Sequence, residues 1–192
     1  MSHDFCVVGL GNPGPNYENT RHNAGFLALD YLKQQWNFPD FSANKYNQAM
    51  QSSGSFQSQQ ILLLKPQTFM NLSGNSLVRL RKEHQPSQFI IIYDDFDLPF
   101  GSMRIKSKGS PGSHNGMKSV LATLSSQAVP RIRIGIHPQH PISSATKFVL
   151  NPFTKTEMES LEPVFANLMQ SLEYLFTGQL ERAAREFNRK AL

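Results

Sequence analysis

The residues best suited to chemistry in this chain are one histidine, one carboxylate and several carboxamides. His22 lies in Thr20-Arg-His-Asn-Ala-Gly25, and a lone histidine in a loop ahead of a helix is usually a solvated or capping residue. Its company changes the reading. Asn12, Asn71, Asp94 and Asn115 all stand at ends of predicted strands or at starts of the helices that follow. In an α/β sheet such positions gather at one edge, where sites form. A histidine is the natural general base near neutral pH, and a carboxylate fixes its tautomer and stabilises its cation. Asp94, which follows apolar strand residues, is placed to do so. Carboxamides at several corners would donate to a developing oxyanion and hold peptide groups without adding charge. The chain has no GxSxG, CxxC or HExxH pattern, so neither a serine nucleophile nor a zinc site announces itself. Water activated by His22 is the economical nucleophile.

Two patterns invite other chemistry. Gly9-Leu-Gly-Asn-Pro-Gly14 matches the dinucleotide fingerprint, which requires a helix to begin within the glycines. Pro13 and Pro15 flank Gly14, and residues 16–23 carry no apolar stripe, so a tight turn after a strand is the better reading. His137-Pro-Gln-His140-Pro is broken by its prolines and reads as a surface loop rather than a metal site. No metal and no cofactor are expected.

A third pattern concerns charge. Arg104, Lys106 and Lys108 alternate along one predicted strand, which spaces them about 6.5–7 Å apart, roughly the phosphate spacing of a nucleic-acid strand. Arg131 and Arg133 form a second comb. A solvated charged face accounts for such spacing equally well; the lack of an interleaved acid in either comb tips the reading toward phosphate. The net charge of +5 suits a polyanionic partner, although many basic proteins bind none.

The elements that must position these residues follow from hydrophobic period. Phe5–Leu10, Ile61–Leu64 and Phe89–Ile92 are short apolar runs expected to be buried strands, with Cys6 a buried strand thiol. Ala24, Leu27, Ala28, Tyr31 and Leu32 mark a helix ending near Trp36. Residues 40–60 read as a loop and a polar edge strand or hairpin. A helix is expected from Asn71 or Ser73 to about His84 on Leu72, Leu77 and Leu80, with Arg79, Arg81, Lys82 and His84 complementing its dipole. Another follows the 109–113 loop, with Met117, Val120, Leu121 and Leu124 inward, and Arg131–Ile136 alternates as a strand. Two C-terminal helices close the chain. The first carries Met158, Leu161, Phe165, Leu168, Leu172 and Leu175, with Pro163 expected to bend it; the second carries Leu180, Ala183, Ala184 and Phe187. Together these predict one α/β globule over 1–192, a mixed twisted sheet sandwiched by helices. With 39% hydrophobic and 17% charged residues the chain is ordinary for a folded protein rather than a disordered one. No run approaches the ~18 apolar residues of a membrane span, and no signal segment opens the chain, so a cytosolic protein is expected.

Six segments then carry a resemblance. Gly9–Gly14, Thr20–Gly25, Lys65-Pro-Gln-Thr-Phe-Met-Asn-Leu-Ser-Gly74, Asp94-Asp-Phe-Asp-Leu-Pro99, Gly112-Ser-His-Asn-Gly116 and Arg131-Ile-Arg-Ile-Gly135 occur in the order and spacing of bacterial peptidyl-tRNA hydrolases. Nearly the whole chain resembles that family. The resemblance implies a metal-free esterase that frees tRNA from peptidyl-tRNA. It makes His22 the base and Asp94 its orienting partner. Asn12, Met70, Asn71 and Asn115 would place the peptidyl ester, with Tyr17 and His114 beside them. Lys106 and Arg133 would clamp the tRNA 5′ phosphate, with Arg104 nearby. Asparagines contacting a neutral peptide amide would also explain the sparing of aminoacyl-tRNA, whose α-ammonium would lose solvation in an uncharged site. A monomer is implied. The chain departs from the family pattern in Gly109-Ser-Pro-Gly-Ser113, in a turn one glycine shorter at Gly135-Ile-His-Pro138, and at Asn151-Pro152. The rival reading is a non-catalytic RNA-binding protein on the same scaffold.

Overall fold

β-Branched and leucine-rich runs bury both faces of a central sheet, and a computed structural model describes residues 3–138 and 140–188 of it. Among these residues β1 (Phe5–Gly9), β2 (Ser42–Asn44), β3 (Ala49–Phe56), β4 (Gln59–Pro66), β5 (Phe89–Pro99), β6 (Met103–Lys106) and β7 (Arg131–His137) form one sheet in the order β2-β3-β4-β1-β5-β7-β6. β4, β1, β5 and β7 run parallel, β3 and β6 run against them, and β2 pairs antiparallel with β3. The sheet is therefore mixed, with the polar 40–60 segment supplying the hairpin at one edge.

Helices α1 (Ala24–Gln35), α4 (Lys155–Phe176) and α5 (Leu180–Phe187) cover the face that carries Val7, Ile61, Ile90 and Ile132. Helix α2 (Asn115–Leu124) covers the other, against Val8, Leu62, Phe89 and Ile91. In α1 the buried stripe is rotated from the expected one. Phe26 and Leu29 are buried, whereas Leu27 and Tyr31 are half-buried, Tyr31 meeting Phe165 of α4 at 5.8 Å. Pro163 lies inside α4. A short α3 (Ala145–Val149), which no apolar stripe announced, precedes α4.

The helix expected over residues 71–84 is instead a pair of 3-10 helices, Met70–Leu77 and Leu80–Lys82. Its interior, Ser73-Gly-Asn-Ser76, is made of weak helix formers that bond sideways. Ser73 Oγ donates to the Met70 carbonyl, and the Gly74 N–H donates to Ser119 Oγ of α2 at 2.9 Å. A 3-10 period of three turns Met70, Ser73 and Ser76 inward and leaves Leu72 exposed, contrary to its expected place in the core. His84 is buried too, its ring nitrogens facing the Leu80 and His3 carbonyls, rather than standing exposed at a helix end.

Candidate active site

β1 pairs with β5 only as far as Gly9 opposite Ile92, and the Leu10 N–H makes the last bond to the Ile92 carbonyl. Beyond that point the β1 edge of β5 is vacated just where Asp94 begins. The chain loops through Asn12 and returns as a 3-10 turn, Arg21–Asn23, which packs against β5 and leads into α1. The return is close: a Cβ on Gly9 would collide with the Gly25 carbonyl, and one on Gly25 with Ile92 O and Leu10 N. Two glycines thus let the start of α1 touch the carboxyl end of β1. Strand order reverses about β1, with β4 added on one side and β5 on the other although all three run parallel, which is the switch point where α/β sheets place ligands. The dinucleotide reading fails here, since no helix starts within the glycines.

His22 Nδ1 lies 3.0 Å from each oxygen of Asp94, which is buried. Asp94 Oδ1 also faces His114 Nε2 at 3.1 Å. The tautomer of His114 follows from its other nitrogen. Nδ1 accepts the Met117 N–H at 3.2 Å as the cap of α2, so Nε2 carries the proton and donates to Asp94. His22 likewise donates from Nδ1, and its Nε2 has no hydrogen-bond partner among the described residues. Burial works against a charged His22 ring, but the Asp94 charge and hydrogen bond outweigh it and raise the pKa above the ordinary 6.5. Burial would raise the Asp94 carboxyl; the His22 and His114 rings instead hold it well below the usual carboxylate range. His22, Asp94 and His114 also bring three potential metal-ligand atoms within 4.8 Å of one another. The protons that the two rings direct at Asp94 make the trio a hydrogen-bonded cluster.

These three side chains line a cleft of about 450 Å³ with Asn115, Tyr93, Lys106, Arg133 and one face of α3. Asn12 and Met70 form a second group behind it. Asn12 Oδ1 accepts the Met70 N–H at 2.8 Å, and a Cβ on Gly116 would run into Met70 Sδ and the His114 ring. Asn71 follows Met70 on the exposed side, with no side-chain hydrogen bond among the described residues. Tyr17 is half-buried and makes backbone bonds in the turn before His22; neither it nor Arg104 belongs to the cleft wall. Asn23 was missed as a site residue although it sits inside a quoted motif. Its Oδ1 accepts the Asn12 N–H at 2.8 Å and its Nδ2 donates to the Asn12 carbonyl at 3.0 Å, tying the two loops together. Arg21 was also missed.

The second basic comb needs correction. Arg131 is almost fully buried and donates to the Val129, Gly109, Ser110 and Gln127 carbonyls, so it holds loops and offers nothing to phosphate. Arg133 is paired through Nε with Asp95 of the neighbouring strand, an acid that inspection along one strand could not reveal. Register places Arg104 opposite Arg133 and Lys106 opposite Arg131.

Comparison with known proteins agrees with this geometry. The family model for peptidyl-tRNA hydrolase matches residues 6–192. The peptidyl-tRNA hydrolase of Solibacter usitatus (strain Ellin6076) is 41% identical over 189 residues, 97% of this chain and 95% of that protein. That of Bacillus subtilis (strain 168) is 39% identical over 188 residues, covering 97% and 99% respectively. Among solved structures, peptidyl-tRNA hydrolase from Acinetobacter baumannii superposes with a TM-score of 0.89 at 29% identity, over 100% of this chain and 97% of that one. A family match running from β1 to the last residue, and relatives covered end to end, show that this chain belongs to the peptidyl-tRNA hydrolase family.

Proposed function

We propose that the chain cleaves the ester between a peptide and the 3′ end of tRNA with His22 as general base. The observation that carries the reading is the His22 Nδ1–Asp94 pairing, which commits one ring nitrogen and leaves Nε2 basic on the cleft wall. Nε2 takes a proton from water as the water oxygen attacks the ester carbonyl. Asp94 stabilises the imidazolium that forms, and His114, held neutral by the α2 cap, keeps Asp94 in place. The proton then passes to the departing ribose oxygen. An aminoacyl ester is already activated, so one base and an oxyanion donor suffice; base catalysis contributes roughly 10²–10⁴-fold.

The carboxamides serve placement. Asn12 has Oδ1 engaged by Met70, which orients Nδ2 as a donor, and Asn115 stands on the cleft rim beside His114. Asn71 and Tyr17 belong to the same reading as outer contacts for the peptide. An uncharged set of donors accepts a peptide amide and penalises a free α-ammonium. Lys106 and Arg133, on the same cleft wall, would meet the terminal phosphate, with Arg104 outside it. Membership of the family supports reading the enzyme as a cytosolic monomer that needs no cofactor. No helix among the described residues is long and apolar enough to cross a membrane.

The test is deacylation of N-acetyl-aminoacyl-tRNA beside the unblocked aminoacyl-tRNA. The wild-type chain should cleave the first and spare the second. His22→Ala should lose turnover by roughly 10²–10⁴-fold while keeping its affinity for tRNA. RNA binding without turnover in the wild type would instead support the non-catalytic reading, and a fully active His22→Ala would discard the base.

A further inference from the structure

Arg21, next to the base, is almost fully buried and does not face the cleft. Its guanidinium is enclosed by one distant stretch of chain. Nη2 meets both Glu157 oxygens, at 2.9 and 2.7 Å, and Nη1 donates to the Asn151 and Pro152 carbonyls at 3.1 and 3.0 Å. Phe148 and Phe153 lie 4.2 and 5.5 Å from its centre. The backbone repeats the connection: Thr20 bridges Pro152, the Arg21 N–H donates to Asn151 O, and the Phe153 N–H donates to Asn19 O. Glu157 in turn closes the capping box of α4 with Thr154.

The stretch so gripped continues directly from α3, whose Ala145, Thr146 and Val149 form the cleft wall that faces His22. On its other side the His22 turn is tied to the Asn12 loop by Asn23. The turn that carries the base is thus clamped between two neighbours, one of them continuous in the chain with a wall of its own cleft. A buried ion pair is a poor means of stabilising a fold, since apolar residues of like volume often do as well, and here Arg21 Nε remains without a partner. Its fork supplies direction: a planar donor set fixed at four acceptors sets the separation of two segments more narrowly than apolar packing can.

We infer that Arg21, with Glu157, is a positioning residue that sets His22 against Asp94 and fixes the distance from the base to the α3 wall. The inference rests on His22 being the base. It separates from a merely structural role because geometry at the base governs the chemical step, where a misplacement of about 1 Å costs up to ~100-fold.

Arg21→Lys keeps the charge and loses the fork; Glu157→Gln keeps Arg21 and its carbonyl contacts and loses the bidentate pair. Both are measured in single-turnover cleavage of N-acetyl-aminoacyl-tRNA, alongside tRNA binding and thermal unfolding. Arg21→Lys should slow cleavage roughly 10- to 100-fold with tRNA affinity unchanged. The acidic limb of its pH profile should move to lower pH as the ring loosens from Asp94. Glu157→Gln should do the same more weakly, and the double variant should fall short of the product of the two, because both cut one connection. If Arg21→Lys fails to fold, Glu157→Gln alone carries the test. Wild-type rate and an unmoved acidic limb, whatever the loss in Tm, would overturn the inference. An active His22→Ala would remove the base reading; an inactive His22→Ala beside an unimpaired Arg21→Lys removes only the role of Arg21.

Discussion

Arg131, Arg133 and Lys106 share a formal charge and project from neighbouring strands, yet their surroundings give them three different parts. Arg131 is spent on four carbonyls, Arg133 is shared with Asp95, and Lys106 has no ion pair among the described residues. Counterion release counts only cations that neutralise phosphate. Lys106→Ala should therefore lower the slope of log Kd for tRNA against log salt by about one, and Arg133→Ala by less. Arg131→Ala should leave the slope alone and cost stability on the order of 3 kcal/mol, because it orphans buried carbonyls. Binding measured across a salt series and denaturant unfolding check all three; a slope lost with Arg131 would return the second comb to phosphate contact. Alternation placed Arg131 on the correct face of a real strand. Whether that face was wet depended on the 109–110 loop folding back over it, which no local pattern encodes.

The elements that hold the site were legible where apolar runs are strong. β1, β4, β5, α1, α2 and the C-terminal helices follow from their periods alone. The 70–82 segment did not, because its polar residues bond locally and to neighbouring elements: Ser73 Oγ to the Met70 carbonyl, the Gly74 N–H to Ser119 of α2 and Ser76 Oγ to the Gln48 carbonyl. The glycines of the first motif were legible as a turn, but their pairing was not: Gly9 and Gly25 matter to each other, sixteen residues apart, through the approach of α1 to β1. Gly25→Ala should force that contact apart at about 1–3 kcal/mol, which in a protein of this size lowers Tm by roughly 2–4 °C per kcal/mol. Cleavage at a temperature where the variant is folded should fall as well, since the His22 turn runs directly into α1. A variant with wild-type Tm and rate would show that the contact is loose.

At the scale of the molecule, the site is a product of topology. His22 arrives after β1, Asp94 from within β5 and His114 as the cap of α2, and the reversal of strand order about β1 brings them within hydrogen-bond reach. Sequence position nominates His22 ahead of a helix and Asp94 after an apolar run, although β5 continues past Asp94 to Pro99, and His114 comes only from the family resemblance. It could not show that Asp94 serves two rings, or that Asn23 and Arg21 bind the base to its surroundings, because those links cross 11 to 136 residues. The convergence has an electrical consequence. With His22 as the proposed base its neutral form is the active one, and Asp94 raises its pKa, so activity should be lost as pH falls through a midpoint above 6.5 and regained as pH rises. The most direct measurement is kcat/KM for N-acetyl-aminoacyl-tRNA across neutral pH, in the wild type and in Asp94→Asn. The expected result is an acidic limb above 6.5 in the wild type that moves to lower pH in the variant, with the plateau reduced roughly 10²–10⁴-fold. An unshifted limb with a wild-type plateau would contradict the coupling of His22 to Asp94, and with it the catalytic reading.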